Sequence, residues 1–237
     1  MTPLLYSVYF PGSDQYPRLA RVLEATARRW APSWEIRVDA MPAPVLRSSV
    51  RQAATDNHAK LGYWADAVDA APDGRLLLLV DADTFVAAPL EPLERLDFDL
   101  AYTVREAVRF PMNGGVVAVK VNARTRSAVR AWYEIDRAFL LDPALCEPFR
   151  RVYGGQNQAS FGAALEGGTF GELSLLTLPC KEWNAEETAW SSFRPGETRI
   201  VHVKAALRAH AFGVDAHPST RALAEHWRRL ERSLPQT

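Results

Sequence analysis

Leu76-Leu77-Leu78-Leu79-Val80-Asp81-Ala82-Asp83-Thr84-Phe85-Val86 is the stretch that decides the fold. Its first five residues are aliphatic, too few for a helix, and follow the turn residues Pro72-Asp73-Gly74. Such a run reads as a strand covered on both faces, as inside an α/β sheet. It passes directly into two aspartates separated by one residue. Ligands of open α/β sheets collect beyond the carboxyl ends of the strands, so Asp81 and Asp83 stand where a site is expected. Where the strand ends, the backbone can turn both carboxylates toward one ion. Two hard anionic oxygen ligands suit Mg²⁺ or Mn²⁺ on a diphosphate. Asp-x-Asp by itself is more often a solvated turn; the aliphatic run before it and Thr84-Phe85-Val86 with Pro89-Leu90 after it set this one apart.

Upstream, Leu4 to Phe10 is apolar and β-rich and ends in Pro11-Gly12-Ser13-Asp14, a strand followed by a turn. Leu19, Val22, Leu23 and Trp30 then recur near helical spacing, and Trp34 to Val38 reads as a second strand. A basic stretch with Arg47 and Arg51 leads into a helix from about Asp56 to Ala70. Leu61, Ala65 and Val68 form its apolar stripe, with Asn57, Lys60 and Trp64 on a neighbouring line. Downstream, Asp99 to Val104, Gly115 to Val121, Leu173 to Leu178 and Arg199 to Val203 read as strands. Ala123 to Leu140 reads as a helix capped by Asn122, and Ser219 to Leu234 as an amphipathic tail helix. Alternation of strand and helix indicates an α/β fold with a largely parallel sheet.

The 237 residues suffice for one compact domain with its own core. Lys and Arg number 28 and Asp and Glu 28, which argues against a protein that holds nucleic acid through a broad basic surface. The only cysteines, Cys146 and Cys180, lie far apart and outside any CxxC spacing, so neither a disulfide framework nor a zinc site is indicated. Reduced thiols in a cytoplasmic protein are the expectation. Met1 to Phe10 lacks the basic segment and cleavage site of a secretory signal, and no apolar run approaches the roughly twenty residues of a membrane span.

The stretch Leu77 to Val86 with Pro89-Leu90 resembles the metal-binding signature of GT-A fold glycosyltransferases, most of all glycosyltransferase family 8, which includes glycogenin and bacterial lipopolysaccharide galactosyltransferases. Four further pieces stand in the family's order. Asn57-His58-Ala59-Lys60-Leu61 matches the helix that brings a basic residue near the nucleotide-sugar. Asn113-Gly114-Gly115-Val116 is similar to an Asn-Ser-Gly-Val segment. Gln156-Asn157-Gln158 stands where Asp-Gln is usual, with Asn157 in place of the carboxylate. Ile200-Val201-His202-Val203-Lys204 resembles the C-terminal histidine strand, without its Gly-x-x-Lys-Pro-Trp continuation.

The resemblance implies a GT-A-type, Rossmann-like architecture: a mixed, mainly parallel central sheet flanked by helices, forming one domain over residues 1–237. Its nucleotide-binding half would be about 1–105 and its acceptor-binding, metal-completing half about 106–237. It further implies metal-dependent transfer of a sugar from a nucleoside diphosphate donor, a UDP-sugar, to a hydroxyl acceptor, with retention of configuration. Mn²⁺ or Mg²⁺ would sit on Asp81, Asp83 and His202. Ser7, Tyr9, Asn57, Lys60, Asp81, Ala82 and Lys204 would border the nucleotide-sugar. Asp83, Asn157 and Gln158 would be catalytic, Gln158 nearest the anomeric centre. Asn113, Gly114, Gly115, Gln156, Trp183 and Asn184 would meet the transferred sugar or the acceptor.

Taken residue by residue, each piece has a plainer competitor. His202 in an apolar strand is either a hydrogen-bonded core histidine or the third ligand. Lys204, two residues on, shares its strand face and is either a phosphate contact or a surface lysine. Asn57 and Lys60 could face phosphate or water; Asn113-Gly114-Gly115 could admit a sugar or only enter a strand. Gln156 to Gln158 could orient hydroxyls or cap a helix. Trp183, Asn184, Trp190 and Phe193 could stack on an acceptor ring or pack as a lid. Two rival functions remain at this level: a sugar-phosphate nucleotidyltransferase, for which Pro11-Gly12-Ser13-Asp14 is a poor phosphate loop, and a non-catalytic nucleotide- or glycan-binding module.

Overall fold

A computed structural model describes residues 1–42, 44, 52–106, 110–214 and 218–235; Arg47 and Arg51 fall outside the described residues. In chain order the first half runs β1 (Leu4–Tyr9), α1 (Gln15–Trp30), β2 (Glu35–Ala40), α2 (Gln52–Ala70), β3 (Leu76–Val80), β4 (Thr84–Val86) and β5 (Leu100–Val104). The second half runs β6 (Met112–Lys120), α3 (Ala123–Leu141), α4 (Pro143–Tyr153), α5 (Gln156–Glu166), β7 (Leu175–Pro179), α6 (Cys180–Trp183), β8 (Ile200–His202), α7 (Ala205–Ala211) and α8 (Arg221–Arg232).

Six strands form one sheet in the order β2-β1-β3-β6-β5-β7. β1 pairs in parallel with β2 and β3, and β5 with β7; β6 alone runs against its neighbours β3 and β5. The aliphatic run is the middle of this sheet, and the period of two in a strand sends its side chains into two different cores. Leu77 and Leu79 join Leu61, Trp64 and Val68 of α2, Val129 and Trp132 of α3 and Phe161 of α5. Leu76, Leu78 and Val80 join Leu23 and Ala27 of α1 on the other face. That is the mixed, mainly parallel, helix-flanked sheet expected from the sequence. Asn122 caps α3 as foreseen: its side chain accepts from Thr125 N at 3.0 Å, while its own N donates to Thr125 Oγ1 at 2.9 Å.

Two differences bear on the site. Thr84-Phe85-Val86 is a strand of its own, β4, paired antiparallel with β8 in a second small sheet. And β6 begins at Met112, three residues before the expected Gly115, so Asn113-Gly114-Gly115 lies within the strand and is not an entry turn. Cys146 and Cys180 are free and buried, and burial pushes both thiols up to about 11. Among the described residues no helix is long and apolar enough to cross a membrane.

Candidate active site

Asp81 follows the last residue of β3 and keeps one more sheet bond, its N donating to Gly115 O at 2.9 Å. The chain then turns, held by Thr84 Oγ1 donating to Asp81 O at 2.8 Å, and enters β4. Pairing of β4 with β8 sets Thr84 opposite His202, and Val203 N donates to Asp83 O at 2.6 Å. A residue far along the chain is thereby brought beside the aspartates. His202 Nε2 lies 3.1 Å from Asp83 Oδ1 and 3.7 Å from Asp81 Oδ2. One donor atom from each of the three residues falls within 4.8 Å of the others. Two carboxylate oxygens and an imidazole nitrogen are a donor set that could hold a divalent metal ion.

The support behind His202 is equally specific. Asn184 is fully buried; its Oδ1 lies 3.2 Å from His202 Nδ1 and its Nδ2 donates to Thr103 Oγ1 at 3.0 Å. Thr103 Oγ1 in turn donates to Asn113 O at 2.8 Å. With Nδ1–H donating to Asn184, Nε2 is the nitrogen turned toward the carboxylates. Gly115 closes the arrangement from β6: a Cβ there would stand 2.7 Å from His202 Cε1 and 3.0 Å from Asp81 Oδ2. Only a residue without a side chain lets the histidine and the aspartate sit so near the sheet.

Positive charge surrounds the pair. Lys60, buried on α2 with its ammonium 4.6 Å from the Trp64 ring centre, forms an ion pair with Asp81. Arg208 of α7 forms one with Asp83 while Nε donates to Val203 O at 3.0 Å. Burial pushes the Asp83 carboxyl up, but His202, Arg208 and Lys60 outweigh it and hold the group well below the usual carboxylate range. Asp83 is therefore ionised at neutral pH. Glu186, also buried, lies 3.1 Å from Arg105 and 3.3 Å from Lys204, and accepts from Thr188 Oγ1 at 2.6 Å.

A cavity of about 260 Å³ opens over this cluster at the carboxyl end of the sheet. Tyr9, Asn57, Lys60, Asp81, Ala82, Asp83, His202 and Lys204 all line it, so eight residues singled out in the sequence share one wall. The remaining candidates lie elsewhere. Ser7 is fully buried, away from the cavity lining, and its Oγ has no hydrogen-bond partner among the described residues. Gln156, Asn157 and Gln158 form the first turn of α5. That turn packs on β6: a Cβ on Gly114 would lie 3.3 Å from Gln158 Cγ and 3.5 Å from Asn157 Nδ2. Gln158 Nε2 donates to Met112 O at 3.0 Å and Tyr153 O at 2.7 Å, and Gln156 Nε2 to Asp136 O at 3.4 Å. Asn113 is buried and its Oδ1 accepts from Gly115 N at 3.0 Å.

Two expected acceptor contacts are corrected. Asn184 has no surface to offer an acceptor, because both ends of its buried amide are spent on His202 and Thr103. Trp183 belongs to the core, packed with Leu178 and Ile200 beneath the Arg199 guanidinium 5.0 Å above its ring. The reading of the sequence missed Arg208, Tyr16 and Glu186. Arg208 had one available signal, its position one helical turn after Lys204.

Fold and site together define a class: the architecture is the GT-A fold, with an Asp-Ala-Asp turn at the end of its central strand. The crystal structure of the galactosyltransferase LgtC in complex with donor and acceptor sugar analogues is 14% identical, with a TM-score of 0.62 over 99% of this chain and 97% of that one. A glycosyltransferase involved in glycosylation of the major capsid of PBCV-1 is 12% identical, with a TM-score of 0.60 over 96% of this chain and 100% of that one. The apo-form glycosyltransferase GlyE of Streptococcus pneumoniae TIGR4 is 12% identical, with a TM-score of 0.60 over 98% of this chain and 60% of that one. No protein-family model and no curated protein matches the chain. At these identities the likeness establishes the fold, and the chemistry has to be argued from the site.

Proposed function

We propose that the chain is a metal-dependent glycosyltransferase that moves a sugar from a nucleoside diphosphate donor, a UDP-sugar, to a hydroxyl acceptor with retention of configuration. The observation that carries this reading is the convergence of Asp81, Asp83 and His202 on one cavity at the carboxyl end of a GT-A sheet. Asp81, Asp83 and His202 would hold Mn²⁺ or Mg²⁺, which when bound supplies a Lewis acid to the departing diphosphate. The residues of the chain do the rest. Tyr9 and Phe10, at the end of β1, offer aromatic surface to a nucleobase, and Asn57 an amide to hydroxyls. Lys60, Lys204 and Arg208 bring fixed positive charge to the place where negative charge develops on the leaving group. Gln158, its amide nitrogen held by two carbonyls, presents a neutral oxygen from a rigid helix start and serves to orient the sugar.

The test is a screen of nucleotide sugars for metal-dependent thermal stabilisation and for donor turnover. A donor at a hundred times its Kd stabilises the native state by about 2.7 kcal/mol. For a chain of this size each kcal/mol raises Tm by roughly 2–4 °C. In Asp83→Asn, with the fold intact by circular dichroism, both stabilisation and turnover are expected to disappear. Turnover by that variant at the parent rate would overturn the assignment.

A further inference from the structure

Each carboxylate of the aspartate pair has a cation of its own, and the two oxygens of each carboxylate are divided in the same way. Asp81 gives Oδ1 to Lys60 and turns Oδ2 toward His202; Asp83 gives Oδ2 to Arg208 and turns Oδ1 toward His202. The oxygens that face the histidine are the ones an ion would use, so Lys60 and Arg208 neutralise the ligands without covering them. Neither cation is loosely placed. Lys60 is buried against Trp64. Arg208 also contacts Val203 O and, at 3.4 Å, the hydroxyl of Tyr16. The third cation of the wall, Lys204, shares Glu186 with Arg105.

Both aspartates are therefore already offset by fixed positive charge before any ion arrives. A divalent ion adds two positive charges to a poorly solvated site in which both carboxylates are already neutralised, which is unfavourable at the short distances involved. A diphosphate brings the missing negative charge. We propose that Lys60 and Arg208 make metal binding conditional on the diphosphate: the chain alone holds the ion weakly, and the ion and a nucleoside diphosphate bind together. The inference rests on the reading of Asp81, Asp83 and His202 as a metal site.

The experiment is calorimetric titration of the full chain with Mn²⁺, alone and with UDP, corrected for Mn²⁺ held by free UDP. UDP is expected to raise Mn²⁺ affinity by about tenfold or more, and Mn²⁺ to raise UDP affinity by the same factor, since coupling is reciprocal. Lys60→Met and Arg208→Gln should each bind Mn²⁺ alone several-fold more tightly than the parent and lose most of the coupling. Arg208→Gln changes the more accessible of the two side chains and serves where Lys60→Met fails to fold; circular dichroism checks both. Suppose the parent binds Mn²⁺ with UDP but folded Arg208→Gln shows unchanged affinity alone, or undiminished coupling. This inference then falls while the metal site stands. Absence of Mn²⁺ binding by the parent under both conditions would overturn the metal site itself.

Discussion

Gly115→Ala adds one methyl group at the tightest point of the site. A Cβ at that position stands 2.7 Å from His202 Cε1, 2.9 Å from His202 Nδ1 and 3.0 Å from Asp81 Oδ2. Non-bonded carbons rest at about 3.5–4.0 Å, so the methyl and the ring must separate by roughly an ångström. The strand can give little, because Gly115 O is held by Asp81 N and Gly115 N by Asn113 Oδ1. The ring can give little either, with Nδ1 against Asn184 and its backbone in β8. Overpacking of this kind costs about 1–3 kcal/mol. Reduced freedom of the unfolded chain returns about 0.4–1 kcal/mol. The net loss is on the order of 1–2 kcal/mol, or a Tm lower by roughly 2–8 °C. Function should suffer far more than stability, since a displacement of about 1 Å in a positioned group can cost about 10²-fold in rate. Mn²⁺ affinity and donor turnover are the assays, with Gly114→Ala as the comparison. There the new methyl meets Gln158 Cγ at 3.3 Å, part of a flexible side chain that can move a few tenths of an ångström. If Gly115→Ala binds Mn²⁺ and turns over donor within threefold of the parent, or if Gly114→Ala is the more damaged, the geometry argued for His202 is wrong.

Three other outcomes are expected. Asn184→Leu keeps the side-chain volume but leaves His202 Nδ1 unsupported, so Mn²⁺ affinity should fall by about 10–100-fold while the chain stays folded. Asp136 is fully buried and ties three helices together, taking His58 of α2 at 3.0 Å and the hydroxyl of Ser160 of α5 at 2.7 Å. Asp136→Ala should cost about 3–5 kcal/mol in urea unfolding, and a loss below 1 kcal/mol would refute the tie. Burial pushes the Glu186 carboxyl up, but Thr188, Arg105 and Lys204 overcome it and hold its pKa below the ordinary 4.5. Its stabilisation is thus present in full above 4.5 and lost as pH falls through the depressed folded value. Thermal melts from pH 6 to 3 should show a steeper acid loss in the parent than in Glu186→Gln.

The legible parts of this molecule are those in which neighbours in sequence do the work together. Leu76–Val80 could be read as a doubly covered strand because burial on both faces demands apolar residues at every position. Asn122 could be read as a cap because its partner is three residues away. Asp81 and Asp83 could be read as neighbours in one site because they follow the same strand. Arg208, whose single signal was its place one helical turn after Lys204, went unread because its value depends on a single bend of the chain. Ala205, with φ of +42°, bends the chain sharply after β8, and the helix that follows points Arg208 back at an aspartate 125 positions earlier. Asn184 and Trp183 stayed open between acceptor contact and packing for a related reason. An asparagine that steadies a histidine and one that greets a sugar are the same letter, and only burial separates them.

His202 reaches the aspartates through a strand pair of three residues each, far too short to hold itself together in water. What holds it is a third core, separate from the two that sandwich the main sheet. Phe85 of β4 and Val201 of β8 point into a cluster with Leu19 and Val22 of α1, Leu207 of α7, and Leu223 and Trp227 of α8. Alternation along β8 then does the rest: Val201 turned into this core leaves His202 turned to the cavity. The amphipathic pattern of the tail helix, which in the sequence promised only packing, thus fixes the side from which the proposed third metal ligand approaches. A site made of two residues of one turn and one of a short strand depends in this way on apolar side chains more than twenty positions beyond His202.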